Sequence, residues 1–486
     1  MRYVVYTWLV LGAGVAMSQA PFDLDTTYRT GITRQHVNSL LPLSDGRMVI
    51  SGRMRFLEFP LNDKLLARLD VDGVLDPSFN TSNLGGGKLT PWNNIFYVAT
   101  AQTVRRILAD GTQDPSFIEM NMDPYFSSGQ GGDYHVYPDG RVVMTGLHLL
   151  SDTVRGFEGF YSLVWFANTG YLDTTRIHRY CDNTIDFIHQ LPDSAFLLSG
   201  WLNTYEGQPV GRIFRVQPGG ALDPNFHTDI HWGQAYDLQV QDDGKIVAVG
   251  LFLVTGVTDT LHMIRLLPDG SLDSTFNNHL RSVYFDDGGY SAWVGIHPLP
   301  GVGWIVHGGF SSIDEEVRGG IALVDTAGQL LDTYFDGAGC GVYEYMGSPY
   351  ASVESIIPDP LGSGYYICGA YHGYDDGTTN DTLQRFVSRL YGLDVGIAEP
   401  TPNVAFSLYP NPANEYVTLQ RASTSKASPR TLEVRDAFGR VVRTERIPQA
   451  ADPIRLDLRE VPPGLYVVTL LGQGVSSASQ RLIVQP

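Results

Sequence analysis

The segment Asp269-Gly270-Ser271-Leu272-Asp273-Ser274-Thr275-Phe276 returns in near copies along the chain, and that return restricts the fold more than any other feature. Copies stand at Asp72–Phe79, Asp110–Phe117 and Gly219–Phe226, with looser ones at Thr169–Asp173 and Ala327–Phe335. The aspartates fall at 76, 114, 173, 223, 273 and 332. A period of about fifty residues belongs to propellers and arrays, where each unit buries its apolar faces against its neighbours.

Each repeat also has a first half, a β-rich run closed by glycine. Those runs are Met48–Gly52, Val142–Gly146, Phe196–Gly200, Ile246–Gly250, Trp304–Gly308 and Tyr365–Gly369, with a degenerate copy at Phe96–Ala99. Near-continuous apolar runs of this length fit strands covered on both faces. Ahead of several runs stands an Asp-Gly turn: Asp45-Gly46, Asp139-Gly140 and Asp243-Gly244. Asp-Gly between β runs signals a hairpin, and a type I′ turn is the expectation because glycine takes positive φ. One repeat then reads strand, turn, buried strand, long loop, strand, second Asp-Gly turn, strand. Four antiparallel strands make one propeller blade.

The Leu-Asp-Pro-Ser-Phe segment should end the fourth strand, since Asp and Pro favour a type I turn. The Phe after it can insert between blades. Turn chemistry accounts for every one of these aspartates, so a metal ring is not required of them. First halves number seven, beginning near Val37, Ile95, Tyr134, Ile185, Tyr236, Trp293 and Val353. The seventh repeat ends at Phe386–Leu390 without its Leu-Asp segment, and the missing piece stands at the other end of the chain as Asp23–Tyr28. An N-terminal strand completing the last blade would close a ring and remove two sheet edges.

The Asp-Gly-x-Leu-Asp-x-x-Phe module resembles the delta-60 repeat of secreted and surface bacterial proteins, a resemblance that implies a β-propeller over residues 21–392. Two repeats depart from it: Arg176 stands where the third should have its aromatic, and an extra Leu precedes Asp332. The resemblance brings no catalytic residues.

The chain of 486 residues should exceed a single ordinary core. A net charge of −19 opposes a nucleic-acid partner and docking on anionic lipid. Met1-Arg2 and the apolar run Tyr3–Val15 read as an export signal cut after Ser18. No later stretch is long enough for a spanning helix, so the protein is not expected to be transmembrane. Three cysteines leave at least one unpaired. Cys340 with Cys368 is the expected pair, with Cys181 left over; three buried thiols are the competing reading.

The repeats stop at a Pro-containing linker, 393–404. Beyond it, residues 405–486 are a set of short alternating strands separated by turn residues, the pattern of a small immunoglobulin-like β-sandwich. Its Tyr409-Pro410-Asn411-Pro412-Ala413 opening, the Asp436-to-Val441 hairpin through Gly439, the Pro463-Gly464-Leu465-Tyr466 strand and the terminal apolar strand carry a second resemblance. They resemble the C-terminal sorting domain of the type IX secretion system. Gln480-Arg481 stands where such domains often carry lysines. The resemblance implies that the secretion machinery is a partner and that the chain crosses the outer membrane, then is released or attached at the surface. The motif residues Tyr409, Pro410, Asn411, Pro412, Gly439, Pro463, Gly464 and Tyr466 are expected to serve strand geometry and recognition. The domain plan is therefore export signal 1–18, propeller 19–392, linker 393–404 and sorting domain 405–486.

Catalytic motifs are absent: the sequence holds no G-x-S-x-G elbow, H-E-x-x-H, P-loop or EF-hand loop. Asp70-Val71-Asp72-Gly73 is explained by a hairpin. His307 shares a column with Ser51, Thr145, Ser199, Val249 and Cys368, which reads as core packing. The loops between second and third strands carry Asp152, Glu158, Asn203, Glu206, Asp259, Asp314, Glu315, Glu316, Asp375, Asp376 and Asp381. In an up-and-down blade these loops share one face, expected to be variable and acidic. Either it is a solvated surface, or it takes cations or a polar partner. Asp314, Glu315, Glu316, Asp375 and Asp376 are the calcium candidates, and no other cofactor is expected. Two functional readings are open. The first is a non-enzymatic binding or adhesion propeller with a glycan or protein ligand. The second is a glycan hydrolase or lyase with paired carboxylates at the ring's centre.

Overall fold

The computed structural model describes residues 21–80, 84–100, 102–118, 126–154, 156–284, 292–331, 337–345, 348–362 and 364–393, and in the C-terminal part 406–411, 413–421, 430–436, 440–447, 453–459, 461–472 and 475–485. The expected export signal, most of the linker, Pro412 and Gly439 lie outside the described residues. Contacts divide the chain into two units, Met1–Gly396 and Ile397–Pro486. Among the described residues every regular element is a strand, and no helix is long and apolar enough to cross a membrane.

In the first unit seven antiparallel meanders succeed one another among the described residues. The first pairs Ile32–Pro42, Met48–Phe56 and Phe59–Leu69, and the second the short strands Leu89–Trp92, Ile95–Ala99 and Val104–Ile107. The third pairs Phe126–Val136, Val142–Asp152 and Phe157–Phe166; the fourth, Phe187–Gln190, Phe196–Ser199 and Ile213–Val216; the fifth, Ile230–Val240, Ile246–Val254 and Leu261–Leu266. The sixth runs Ala292–Leu299, Gly303–Gly309, Ile321–Asp325 and Leu330–Leu331, and the seventh centres on Ser352–Pro358, Tyr365–Asp375 and Asn380–Leu390. Each meander touches the next, and Ser352–Pro358 returns to touch Ile32–Pro42. First strands meet first strands at most of these junctions, which makes them the innermost ones.

The Met48–Gly52 type of run is buried on both faces as expected, because alternate residues enter two clusters. Met48 and Ile50 pack with Tyr366 and Cys368 of the seventh sheet, whereas Val49 packs with Leu89, Phe96 and Val98 of the second. Phe79, Phe117, Phe226 and Phe276 each sit in the cluster shared by their own sheet and the following one.

Three expectations are corrected. The fourth strand is in most repeats a single bridge, as in Leu69↔Leu75, Ile107↔Gln113, Val216↔Leu222 and Leu266↔Leu272. Pairing stops there because the next aspartate turns the chain at once: Asp76 accepts the Ser78 amide at 2.9 Å and the Phe79 amide reaches the Asp76 carbonyl at 3.4 Å. The Asp-Gly hairpins are not type I′ turns, which need positive φ at both central residues. Gly73 has φ 88° but Asp72 is not among the positive-φ residues, and the Gly73 amide donates to Asp70. That is a type I turn followed by a left-handed glycine. The second sheet begins at Leu89, not near Ile95, which lies on its second strand; an Asn93-Asn94 turn with Asn93 at φ 53° replaces the Asp-Gly signal there.

The N-terminal segment lies along Asn380–Leu390. Phe22 donates to Tyr391 at 2.8 Å, Tyr391 back to Asp23 at 2.9 Å, and Asp25 to Arg389 at 2.9 Å. Phe22 stacks on Tyr365 at 5.8 Å, and Tyr374 donates its hydroxyl proton to the Phe22 carbonyl at 3.1 Å. The fragment missing from the seventh repeat thus supplies its outer edge from the other end of the chain.

The expected Cys340–Cys368 disulfide does not form, and all three cysteines are free thiols. Cys340 pairs with Tyr374 on the strand Tyr365–Asp375 that also holds Cys368. Six residues of strand separate the two levels, about 20 Å, whereas a disulfide needs Cα atoms within about 7 Å.

In the second unit Phe406–Tyr409, Tyr416–Arg421 and Ile454–Asp457 form one sheet, and Val441–Ile447, Arg430–Asp436, Gly464–Gly472 and Val475–Val484 a second. Val417, Leu419 and Leu456 from one sheet share a core with Leu432, Val434, Val468 and Leu482 from the other.

Candidate functional site

The innermost strands bring together the ionisable groups that could act on a ligand. Most of these strands carry a bulge, as between Val37 and Ser39, Gly131 and Tyr134, and Ala235 and Asp237. A bulge re-aims the residues beside it. In three sheets the re-aimed side chain accepts an amide from the next sheet. Ser39 Oγ takes the Leu89 N–H at 3.0 Å, Asp133 Oδ2 that of Ile188 at 3.4 Å, and Asp237 Oδ2 that of Ile296 at 3.1 Å. Lys88 Nζ lies 2.8 Å from Asp133 Oδ1.

Burial pushes Asp237 up to about 6, although the Ile296 and Leu238 amides oppose it; the charges of Lys88 and Asp133 also reach it. Burial raises Asp186 and Glu354 above the ordinary carboxylate range, and lowers His189, with Lys88 adding to that effect. His135 falls to about 4 by burial and then Lys88. The inner ends of the second to fifth sheets therefore form one electrostatic neighbourhood of Lys88, Asp133, His135, His189 and Asp237. Chemically it could offer a protonated acid beside a cation. Yet the carboxylate oxygens of Asp133 and Asp237 are engaged: Asp133 Oδ1 also takes the Tyr134 amide at 2.7 Å, and Asp237 Oδ1 that of Leu238 at 2.8 Å. Sequence reading missed these residues, because a bulge leaves no mark on composition.

Three members of the column containing His307 have the same stapling role. Ser51 accepts the Gly86 amide at 2.9 Å, and Ser199 accepts that of Ala235 at 2.9 Å while donating to the Arg212 carbonyl at 2.7 Å. His307 Nδ1 donates to the Val353 carbonyl at 2.8 Å, and burial lowers the ring to about 4, so it is neutral at pH 7. Gly295 has to be glycine here, since a Cβ would lie 2.2 Å from His307 Nε2.

The five calcium candidates stand on two elements, the hairpin Ser312–Val317 and the end of the strand Tyr365–Asp375. Asp314, at φ 47°, accepts the Arg281 amide at 2.8 Å at the tip of the hairpin Ser312–Val317, where Glu315 and Glu316 stay exposed. Asp375 accepts the Gly377 amide at 2.9 Å and the Asn380 side chain at 3.3 Å. Asp376 is buried; Oδ1 takes the Thr378 amide and hydroxyl, both at 2.8 Å, and Oδ2 takes the Leu24 amide at 2.9 Å. Among the described residues no three His, Cys, Asp or Glu side chains are grouped to hold a metal ion. Nor is the loop face uniformly acidic. Asp152 is a buried strand residue, Glu206 meets Arg179 at 2.9 Å, and Asp381 pairs with Arg29.

Among the C-terminal motif residues, Asn411 uses its Oδ1 to accept the Ile483 amide at 2.9 Å, which ties the opening turn to the last strand. Beside it Ala413 bridges Val484 in parallel. Pro410 follows Tyr409 through a cis peptide bond. Gly464 pairs with Val484, and buried Tyr466 donates to the Pro462 carbonyl at 2.7 Å, which holds the Pro463 corner. The model of the family described as a secretion system C-terminal sorting domain matches residues 407–485. That of a domain of unknown function described as a β-propeller (DUF5122) matches 43–79, 193–226 and 241–276. The chain is a β-propeller followed by a type IX secretion sorting domain.

No curated protein matches the chain. Among solved structures the propeller protein is similar to PorZ, a surface component of the type IX secretion system of Porphyromonas gingivalis. Identity is 11% and the TM-score 0.33, over 97% of this chain and 61% of that one. The extracellular domain of BT4673 from B. thetaiotaomicron gives 11% and 0.41, over 97% and 59%. The Neurospora crassa Pan2 WD40 domain gives 10% and 0.38, over 73% and 89%. The chain spans about three-fifths of the length of the first two, and likenesses this distant carry no function across. The sorting domain implies export to the cell surface or beyond by the type IX machinery.

Proposed function

We propose that the chain is a secreted or surface-held binding propeller without enzymatic activity, whose seven sheets are the blades of one closed ring and whose immunoglobulin-like tail addresses it to type IX export. An N-terminal export signal takes it to the periplasm first. The observation that carries the addressing is the match over 407–485, together with the Asn411 and Tyr466 contacts that give the motif a folded role. The non-enzymatic half draws support from the innermost carboxylates. Asp133 and Asp237 each give one oxygen to an amide of the next blade and the other to the following amide of their own strand, so neither of these two carboxylates is free for general acid and base work. The propeller is taken to work without a resident cofactor.

Truncation before Phe406 tests the address. The truncated chain should accumulate in the periplasm, and the full chain should appear outside the cell without the region after about Pro402. Normal export of the truncated chain would overturn the assignment. Release of reducing ends from any glycan by the purified chain would overturn the non-enzymatic half and turn attention to Asp237.

A further inference from the structure

The second blade is shorter than its neighbours, and this leaves part of the first blade uncovered. Its strands are 4, 5 and 4 residues long, against 11, 9 and 11 in the first. Along Met48–Phe56 alternate side chains face the second blade: Val49 packs on it, Ser51 bonds Gly86, then Arg53 and Arg55 come next. Their neighbours Met54 and Phe56 turn the other way, into the core shared with the seventh blade. The Arg53 position is Leu147, Trp201, Leu251, Gly309 and Ala370 in the other glycine-closed runs, so the charge is peculiar to this blade.

Cross-strand pairing concentrates that charge. Arg34 stands opposite Arg55, whereas Arg53 faces His36, which burial and then Arg53 itself hold toward its neutral form. Like charges directly opposed destabilise a strand pair. One carboxylate answers them: Asp63 holds Arg53 Nε at 2.8 Å and Arg55 Nη2 at 2.6 Å. Among the described residues Arg34 and Lys64 have no ion-pair partner; Arg34 is exposed, and Lys64 Nζ sits 4.6 Å above the Phe59 ring. Glu58, at the hairpin tip, holds its carboxylate against Gly31. Arg53, Arg55, Asp63 and Lys64 line an open groove of about 870 Å³ with Phe59 and Leu61. Such a basic groove is unexpected on a protein of net charge −19.

We propose that this groove on the first blade binds an acidic oligosaccharide, its carboxylate or sulfate groups on Arg53, Arg55 and Lys64 and its ring faces against Phe59 and Leu61. The proposal rests on the binding-module reading above and gives it a ligand class. Paired guanidinium forks suit planar or tetrahedral oxyanions. The exposed apolar rim suits the C–H faces of sugars, which a free anion would not use. Three fixed cations neutralise a short segment, too few to offset the repulsion a long nucleic acid would meet.

The test uses the full chain and calorimetric titration with four hexamers: a heparin-derived oligosaccharide, an oligogalacturonate, maltohexaose and hexaglutamate. The two acidic sugars should bind, more weakly at 200 mM than at 50 mM salt, and maltohexaose should not. Lys64→Gln should weaken binding about fivefold, and Asp63→Asn, which removes the competing carboxylate, should tighten it by about threefold. Opposite shifts from the two substitutions cannot both come from misfolding. Absence of binding, equal binding of maltohexaose, preference for hexaglutamate, or indifference to both substitutions would overturn the proposal. Each of those results leaves the broader binding reading to its own test, whereas cleavage of any of the sugars would overturn that reading.

Discussion

The outer and inner edges of the blades are held by different means. At the outer edge one arginine and one aspartate recur. Arg68 holds Asp76 at 2.8 Å, Arg106 holds Asp114 at 2.7 Å, and Arg265 holds Asp273 at 2.8 Å. Each arginine also reaches a carbonyl of the next blade, Ala109, Asn168 and Thr326, and covers its own Phe. Arg389 likewise holds Asp25 at 2.7 Å and covers Tyr28, so the closing segment uses the same arginine–aspartate pair. At the inner edge the blades are still joined one to the next, but Ser39, Asp133, Asp237, Ser199 and His307 share that role. A job done by one residue pair is fixed by geometry; a job that serine, aspartate and histidine can all do leaves the surface free to vary.

The sharpest way to break this comparison is to remove one fastening of each kind. Arg106 is buried and donates to Asp114, Tyr97, Asn168 and Ser116. Arg106→Ala leaves a buried carboxylate unanswered and should cost about 3–5 kcal/mol. Ser39→Ala removes one neutral hydrogen bond and should cost about 1–2 kcal/mol. Urea denaturation of both variants measures the difference, and equal losses would show that the two edges are not distinct.

Much of this architecture was legible in the sequence, because turn aspartates, left-handed glycines and inserted phenylalanines are local demands that only a few residue types meet. The displaced closing segment was legible for the same reason. The latch arginine was not: it lies eight residues before its aspartate on another strand, and nothing local calls for it. The third repeat makes the point. Its aromatic position holds Arg176, a departure by motif alone, yet Trp165 occupies the place of the latch arginine. The two residue types have traded positions, and Arg176 approaches Asp173 from the turn at 3.9 Å. The inner staples and the basic groove were hidden for a second reason. They depend on bulges and on one blade being shorter than its neighbours, which are relations between strands.

A smaller effect separates the edges by pH. The Ser78 hydroxyl and amide with Arg68, against a contribution from burial, bring Asp76 down to about 2. A depressed carboxylate contributes stability above its unfolded value near 3.9 and loses it as pH falls toward 2. Asp237 has the opposite sign: burial raises it to about 6, so its contribution is complete below pH 4 and is lost as pH rises through 6. Melting curves should therefore show Asp76→Asn converging on the parent chain below pH 3. Asp237→Asn should gain on the parent between pH 4 and 7. A flat difference for Asp237→Asn over that window would mean that its carboxyl is not held in a dry setting.

The smallest expected effect concerns calcium, and it asks whether the loop face behaves like the inner edge, with its acids already engaged. A cation site of this kind needs several oxygens free to converge. Asp376 gives one oxygen to Thr378 and the other to Leu24, and Asp375 is occupied by Gly377 and Asn380. Releasing Asp376 to a metal would undo the bond that anchors the closing segment. Binding there would thus spend part of its own gain on loosening the ring. A folded-state ligand at a hundred times its Kd adds about 2.7 kcal/mol, a shift of several degrees. Millimolar calcium should instead leave the melting temperature where chelator leaves it. A rise of several degrees that disappears in Asp375→Asn would show that these carboxylates can exchange their backbone partners for a cation.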